Sequence, residues 1–311
     1  EKTTLNATLG ANWIPIKLDL NLPSFQSQEG KNSQSKFDVQ ALVVGFETKK
    51  TPGGLKVGHI NLNLGKVDFV DNATSTYLEN LAITTGGKEQ EGLFGYTLQT
   101  QISKLRLPPK FAMGETFDIN YAGQISLDRL DVEALLTLQT MLHQTQLDSS
   151  MTMPLLMQAM AVVPKFLAKS PEIALSQWNI KTSKGNLQGD VKVKLDGKKV
   201  TDFFDPQKWL AALQAQVALT MDKSFIEHAI ASQAYLMMLP ELDFYTLHDD
   251  NRKELQRQAK IMSQEQIQKF VNQKWLVEAD KDSYKLEADF KDQKLLLNEQ
   301  ETDLPMIQIP K

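Results

Sequence analysis

The chain has 311 residues, 41% of them hydrophobic and 23% charged, with a formal net charge of −4. That length fits one large or two medium domains with a sizeable core, and the composition excludes a chain disordered throughout. The weakly acidic balance lacks the basic footprint of a nucleic-acid binder. The absence of cysteine excludes disulfides, thiolate metal sites, iron–sulfur clusters and a cysteine nucleophile.

Residues 1–130 alternate apolar and polar with period two. Ile16, Leu18, Leu20 and Leu22 form one such run, and Ile60, Leu62 and Leu64 form another. Phe117, Ile119 and Tyr121 continue the style toward Ile125 and Leu127. In a strand this alternation puts the apolar side chains on one face and leaves Lys, Asp, Asn, Gln and Thr on the other. One-sided strands belong to antiparallel sheet rather than to a doubly covered parallel sheet. Pro52-Gly53-Gly54 and Gly86-Gly87 read as turns between strands.

The pattern changes at Asp131, which can cap a helix over 131–146 carrying Val132, Leu135, Leu136 and Leu142 near one stripe. A second helix is expected over 154–168, with Leu156, Met160, Val163 and Leu167 at helical spacing and Pro164 kinking or ending it locally. Strands over 173–180 and 187–195 flank a turn at Ser183 to Asn186, and another strand covers 215–220. Asp222 is expected to cap a helix over 222–239, closed by Pro240. A polar helix over 250–273 opens on Asp249 and Asp250, with Ser263 and Gln266 as a capping box for its second half. Strands over 275–279 and 284–290 follow, Leu295 to Leu297 extends the sheet, and the tail 301–311 is loose. The expected class is α+β: a mainly antiparallel, strongly twisted or curved sheet with several helices packed on it in the C-terminal half. It divides into a strand-rich region 1–130 and a mixed region 131–300.

No catalytic constellation stands out. His59, His143, His228 and His248 are scattered, with no HExxH pair. A GxSxG elbow, a P-loop and a GxGxxG fingerprint are all missing, so no cofactor and no metal is expected. Glu227 beside His228 points elsewhere on a helix, and Asp249-Asp250 beside His248 suits a helix start. Arg252, Lys253, Arg257 and Lys260 are interleaved with Glu254 and read as a solvated face with local ion pairs. Trp13, Trp178, Trp209 and Trp275 are far apart and read as separate anchors. Five of the eleven methionines fall between Met141 and Met160, and Met237-Met238 form a second group. Methionine suits adaptable apolar surfaces. Met153, Leu156, Met157, Met160, Met237 and Met238 are therefore the candidate contacts for an apolar ligand, their alternative role being to fill a core. The longest charge-free run, Ser149 to Pro164, falls short of the roughly 20 apolar residues of a membrane span.

The C-terminal half carries a resemblance. Val163-Pro164-Lys165-Phe166-Leu167 leads into Ser170-Pro171-Glu172-Ile173-Ala174-Leu175, then a hairpin through Ser183 and Gly185, then Val191 to Leu195. Paired helices follow, with closing strands at Tyr284-Lys285-Leu286 and Lys294-Leu295-Leu296-Leu297. This order resembles the YdgA-like family of bacterial envelope proteins, a domain of unknown function. The resemblance implies a Gram-negative source, a periplasmic body and an inner-membrane anchor ahead of Glu1. It carries over no catalytic residue. The leading expectation is a non-catalytic envelope protein that binds lipid, another apolar ligand or a protein partner along a curved sheet. A structural module assembling as a homodimer is the second expectation, and an envelope hydrolase with a site assembled only in the fold is the third.

Overall fold

The computed structural model of the protein describes residues 2–10, 15–28, 35–71, 74–115, 117–147, 161–202, 205–239 and 247–302. Seven strands come first: β1 (Thr4–Leu9), β2 (Pro15–Gln28), β3 (Lys36–Lys50), β4 (Lys56–Asp71), β5 (Thr74–Gln90), β6 (Leu93–Leu107) and β7 (Phe117–Asp131). A 3-10 turn, Pro109–Ala112, joins the last two. Helix α1 (Val132–Leu147) and a helix α2, described over 161–168, precede β8 (Glu172–Thr182) and β9 (Gly185–Leu195). Next come α3 (Pro206–Ala212), β10 (Leu213–Asp222), α4 (Lys223–Met238) and α5 (Asp249–Asn272). The chain closes with β11 (Val277–Glu278), β12 (Ser283–Lys291), β13 (Lys294–Leu297) and β14 (Gln300–Thr302).

Among the described residues, fourteen strands form one antiparallel sheet, ordered β1 to β10 and then β12, β13 and β14, with β11 paired to β12. The strand-rich and mixed regions therefore share a single sheet, joined where β7 pairs with β8. The edges β1 and β14 do not pair, so the sheet stays open. β2 to β7 run 14–17 residues each. The usual strand has about 5–6. Strands of this length are legible as unbroken alternation in the sequence, and hairpin after hairpin places each beside the previous one.

The helices stand near the ends of the strands. Asp131 caps α1, its Oδ1 accepting the Ala134 N–H at 2.8 Å. The helix then packs Val132, Leu135 and Leu136 against Leu55, Val57 and Phe94. Asp205 caps α3, accepting the Gln207 N–H at 2.9 Å, and Pro206 occupies the first helical turn. This short helix escapes the sequence pattern because it is only seven residues long. α4 and α5 pack on each other through Ala231, Ala234, Tyr235 and Ala259. Ala231 and Ala234 lie on one α4 face, and Ala259 and Ser263 on one α5 face, so small residues let the axes approach closely.

Four sequence expectations are corrected. Gly86 and Gly87 are not a turn; they lie inside β5, paired with Thr97 and Tyr96. The turn falls at Glu91-Gly92, both with positive φ. A Cβ on Gly87 would stand 2.8 Å from both Phe94 and Val57, so the glycine makes room for the α1 core. Asp222 precedes α4 but makes no side-chain cap; its Oδ2 accepts the Asn186 N–H at 2.8 Å and ties the helix start to the β8–β9 hairpin. Ser263 opens no capping box, because α5 is continuous and Ser263 is fully buried, its hydroxyl donating to the Glu227 carbonyl at 2.8 Å. In the C-terminal tail, Glu301 and Thr302 belong to β14, while residues 303–311 lie outside the described residues.

Gly197, just after β9, packs on the end of α2. A Cβ there would sit 1.5 Å from the Leu167 carbonyl oxygen, a backbone atom that cannot swing aside. Gly197→Ala is expected to cost about 1–3 kcal/mol of stability, read as a lower urea midpoint with unchanged slope.

Candidate functional site

Directly paired residues of antiparallel strands project to the same face. The registers can therefore be read as rows running across the sheet. One row is Leu22, Leu42, Leu64, Leu81, Ile102, Tyr121, Ile180, Leu187, Met221 and Tyr284, each paired with the next. Ten successive strands contribute an apolar or aromatic side chain to it. At the usual 4.7–4.9 Å between strands the row is about 43 Å long. Of its members only Met221 is buried; the others keep partial exposure.

A parallel row runs through Leu98, Ile125, Leu175, Val191, Val217, Ala288 and Leu297. A third runs through Tyr96, Leu127, Ile173, Val193, Ala215, Phe290 and Leu295. Ile125 is 46% and Ile173 54% exposed, values that a covered sheet face would not permit. The side chains between these rows point to the opposite, polar face: Asp190 pairs with Ala218 and Ala218 with Glu287, and Lys192 with Gln216 and Gln216 with Asp289. A trough of 490 Å³ on that face is lined by Gln177, Asn179, Gln188, Asp190, Thr220 and Glu287.

The row pattern changes phase along one line. Leu22, Leu42, Leu64, Leu81 and Ile102 are followed or preceded three residues away by Phe25, Val39, Val67, Leu78 and Leu105, themselves one continuous row that ends on Ile119. Between the two rows lie Pro23, Ala41, Gly65 and Asn80, which are unpaired in the ladders, and Ala41 and Asn80 have positive φ. A left-handed residue interrupts the extended alternation, and the apolar pattern shifts by one position at the same place. Next to this second apolar row runs a polar one: Gln26, Asp38, Asp68, Tyr77, Arg106 and Asp118. Arg106 grips Asp118 through Nε at 2.7 Å and Nη2 at 2.9 Å and lies over the Tyr77 ring. That grip, with Lys104, holds the Asp118 carboxyl below its usual range.

Of the candidate apolar contacts, Met153, Leu156, Met157 and Met160 lie outside the described residues. Met238 packs against the α4–α5 core, and Met237 is 79% exposed at the end of α4. Among the described residues an extended apolar surface is formed by the sheet face, whose members are scattered over the chain and meet only through register.

Among the described residues the titratable candidates are not brought together; the side chain of His143, in α1, lies outside them. His59 is on β4, opposite Glu47, and His248 precedes α5. Glu227 receives Gln264 at 3.3 Å, not His228. His228 stacks on Phe117 with ring centroids 4.9 Å apart, and its Nε2 is buried without a hydrogen-bond partner among the described residues. Burial, and after it Lys184, lowers its pKa, while Glu115 partly opposes the shift. Among the described residues no group of three His, Asp or Glu side chains could hold a metal ion. Arg257 pairs with Glu254 and Arg252 with Asp249, so the basic cluster of α5 is laced with local ion pairs. Trp275 stacks on Phe270 at the rim.

His228 gives the fold a pH dependence. With a folded pKa below the unfolded value of about 6.5, the unfolded chain takes up the proton first. Stability is complete above that value and falls as the pH drops through it toward the depressed folded pKa. Urea titrations at pH 7.5 and 5.5 are expected to show a loss in the native protein that His228→Gln reduces. Equal losses in both would remove His228 as the cause.

Among the described residues no helix is long and apolar enough to cross a membrane. No curated protein and no solved structure matches the chain. Residues 2–305 match a family described as bacterial protein of unknown function (DUF945), and across almost its whole length this open-sheet chain belongs to that family.

Proposed function

We propose that the protein is a non-catalytic binder of elongated, lipid-like apolar molecules and that the apolar face of the sheet is where they lie. One observation carries this reading: the ten-strand apolar row keeps partial exposure along nearly all of its length. Apolar area left in water is a standing cost of about 25 cal/mol per Å², recovered when an apolar partner covers it. A track of about 43 Å exceeds the ~30 Å hydrocarbon thickness of a bilayer, so it suits extended chains better than a compact small molecule. The resemblance of the hairpin and closing-strand segments to YdgA-like envelope proteins adds the setting: a periplasmic body tethered to the inner membrane of a Gram-negative cell. In that setting acyl chains are the abundant apolar ligand.

Native mass spectrometry of protein purified from its host without detergent tests the reading. Adducts of lipid mass on the 35.0 kDa chain are expected. A bare chain, together with no binding of a fluorescent long-chain fatty acid, would sink it.

A further inference from the structure

The two edges of the sheet are built differently. β14 is three residues long and carries Glu301 in an ion pair with Lys294 of its neighbour β13. A short, charged edge strand resists pairing with another chain. β1 has the opposite character. Its six residues, Thr4-Leu5-Asn6-Ala7-Thr8-Leu9, contain no charge and no proline, and every one of them is exposed. One side pairs with β2, and no described residue pairs with the other.

We propose that β1 pairs antiparallel with β1 of a second copy of this chain, about a two-fold axis through Ala7, joining two sheets into one. The hydrogen-bonding directions of a strand alternate, so antiparallel self-pairing must place residues of like parity opposite each other. Centring on Ala7 sets Ala7 opposite Ala7 of the second copy, Leu5 opposite Leu9, and Asn6 opposite Thr8. Both leucines of each strand then meet a leucine, whereas centring on Asn6 would set Leu5 against Ala7. Leu5 and Ala7 are paired with Leu20 and Leu18 of β2, so they share the apolar face. Leu5 is 63% exposed and Leu9 45%, and the pairing covers both. Because the two-fold axis stands perpendicular to the sheet, the apolar faces of both copies stay on the same side. The row Leu5, Leu20, Val44, Leu62 and Ile83 then meets Leu9 of the second copy. Leu–Leu and Asn–Thr pairs flank the axis with no like charges opposed. This pairing stands on the edge strand alone and does not depend on what the apolar face binds.

The chain has no cysteine, so single introduced thiols report directly. Opposed Cα atoms in an antiparallel pair are about 4.5–5.5 Å apart, within disulfide reach, while diagonal positions at about 7–8 Å are not. With oxidised glutathione as the oxidant, Ala7→Cys is expected to form a covalent dimer and Asn6→Cys is not. Sedimentation of the unmodified chain should give twice the monomer mass, and Ala7→Lys, which opposes two ammonium groups at the axis, should weaken the dimer at least tenfold. All six β1 residues are exposed, so circular dichroism of Ala7→Lys should be unchanged. A monomer at about 100 µM in the unmodified chain, or a cross-link through Cys at position 6 but not 7, overturns the proposal. So does a dimer that Ala7→Lys leaves intact.

Discussion

Tyr235→Ala is expected to be the most destabilising single truncation in the α4–α5 layer, costing about 3–5 kcal/mol. Tyr235 has 0% exposure and packs among Met113, Ala231, Ala234 and Ala259, with Met238 and Leu255 around them. Its neighbours are mostly alanines, which have no length to reach into the space a lost phenol leaves. The cavity should therefore persist, and persistence sets the cost at the upper end of the range. Met113 comes from the segment between β6 and β7, so the same ring ties the helix pair to the sheet. Equilibrium urea unfolding checks the prediction. The ring-preserving Tyr235→Phe should cost under about 1.5 kcal/mol. A midpoint for Tyr235→Ala close to that of Tyr235→Phe would mean that the two helices carry little of the folding free energy.

The fold was legible where a single strand or helix contains its own signal. Alternation at Ile60, Leu62 and Leu64 announces β4, and Asp131 ahead of Val132 announces α1, because period and cap are local properties. Antiparallel architecture and helices in the C-terminal half follow from those signals, whereas the openness of the sheet does not. The Gly86-Gly87 error has a different origin. Glycine punctuates turns when the chain must reverse, but here it is needed for the space that Phe94 and Val57 occupy, and Phe94 comes from the next strand. A side-chain neighbour on another strand is invisible to a local reading. Asp222 and Ser263 fail for the same reason, since each spends its oxygen on a distant backbone group, Asn186 in one case and Glu227 in the other.

The candidate site was legible only in part. Each strand's apolar half could be read directly, but not which leucine stands beside which. Register is set by turn lengths and by interruptions such as Ala41 and Asn80, and their positive φ leaves no mark in the pattern of either residue type. The methionine clusters are legible in the sequence because composition is a local property. The apolar rows are not, because Leu22 and Tyr284 stand at opposite ends of one row, nine strand pairings apart.

If the apolar face holds a lipid-like ligand, a charge placed on it should abolish binding while sparing the fold. Ile125 and Ile173 are the positions to change, because each belongs to a continuous row yet is about half exposed in the free chain. The double substitution Ile125→Glu with Ile173→Glu removes little packing, and its effect on stability is expected to stay within about 1 kcal/mol. A bound acyl chain would have to strip water from both carboxylates without offering a hydrogen bond, at a cost of a few kcal/mol. Since about 1.4 kcal/mol is tenfold in affinity, binding of a fluorescent long-chain fatty acid should weaken at least tenfold. Lipid adducts in native mass spectra should disappear with it. Asn63→Glu supplies the control: Asn63 is exposed and pairs with Ala82, on the side of β4 opposite Leu62 and Leu64. Equal loss of binding in Asn63→Glu would point to net charge rather than to the apolar track. Unchanged binding in the double variant would separate the apolar rows from ligand recognition altogether.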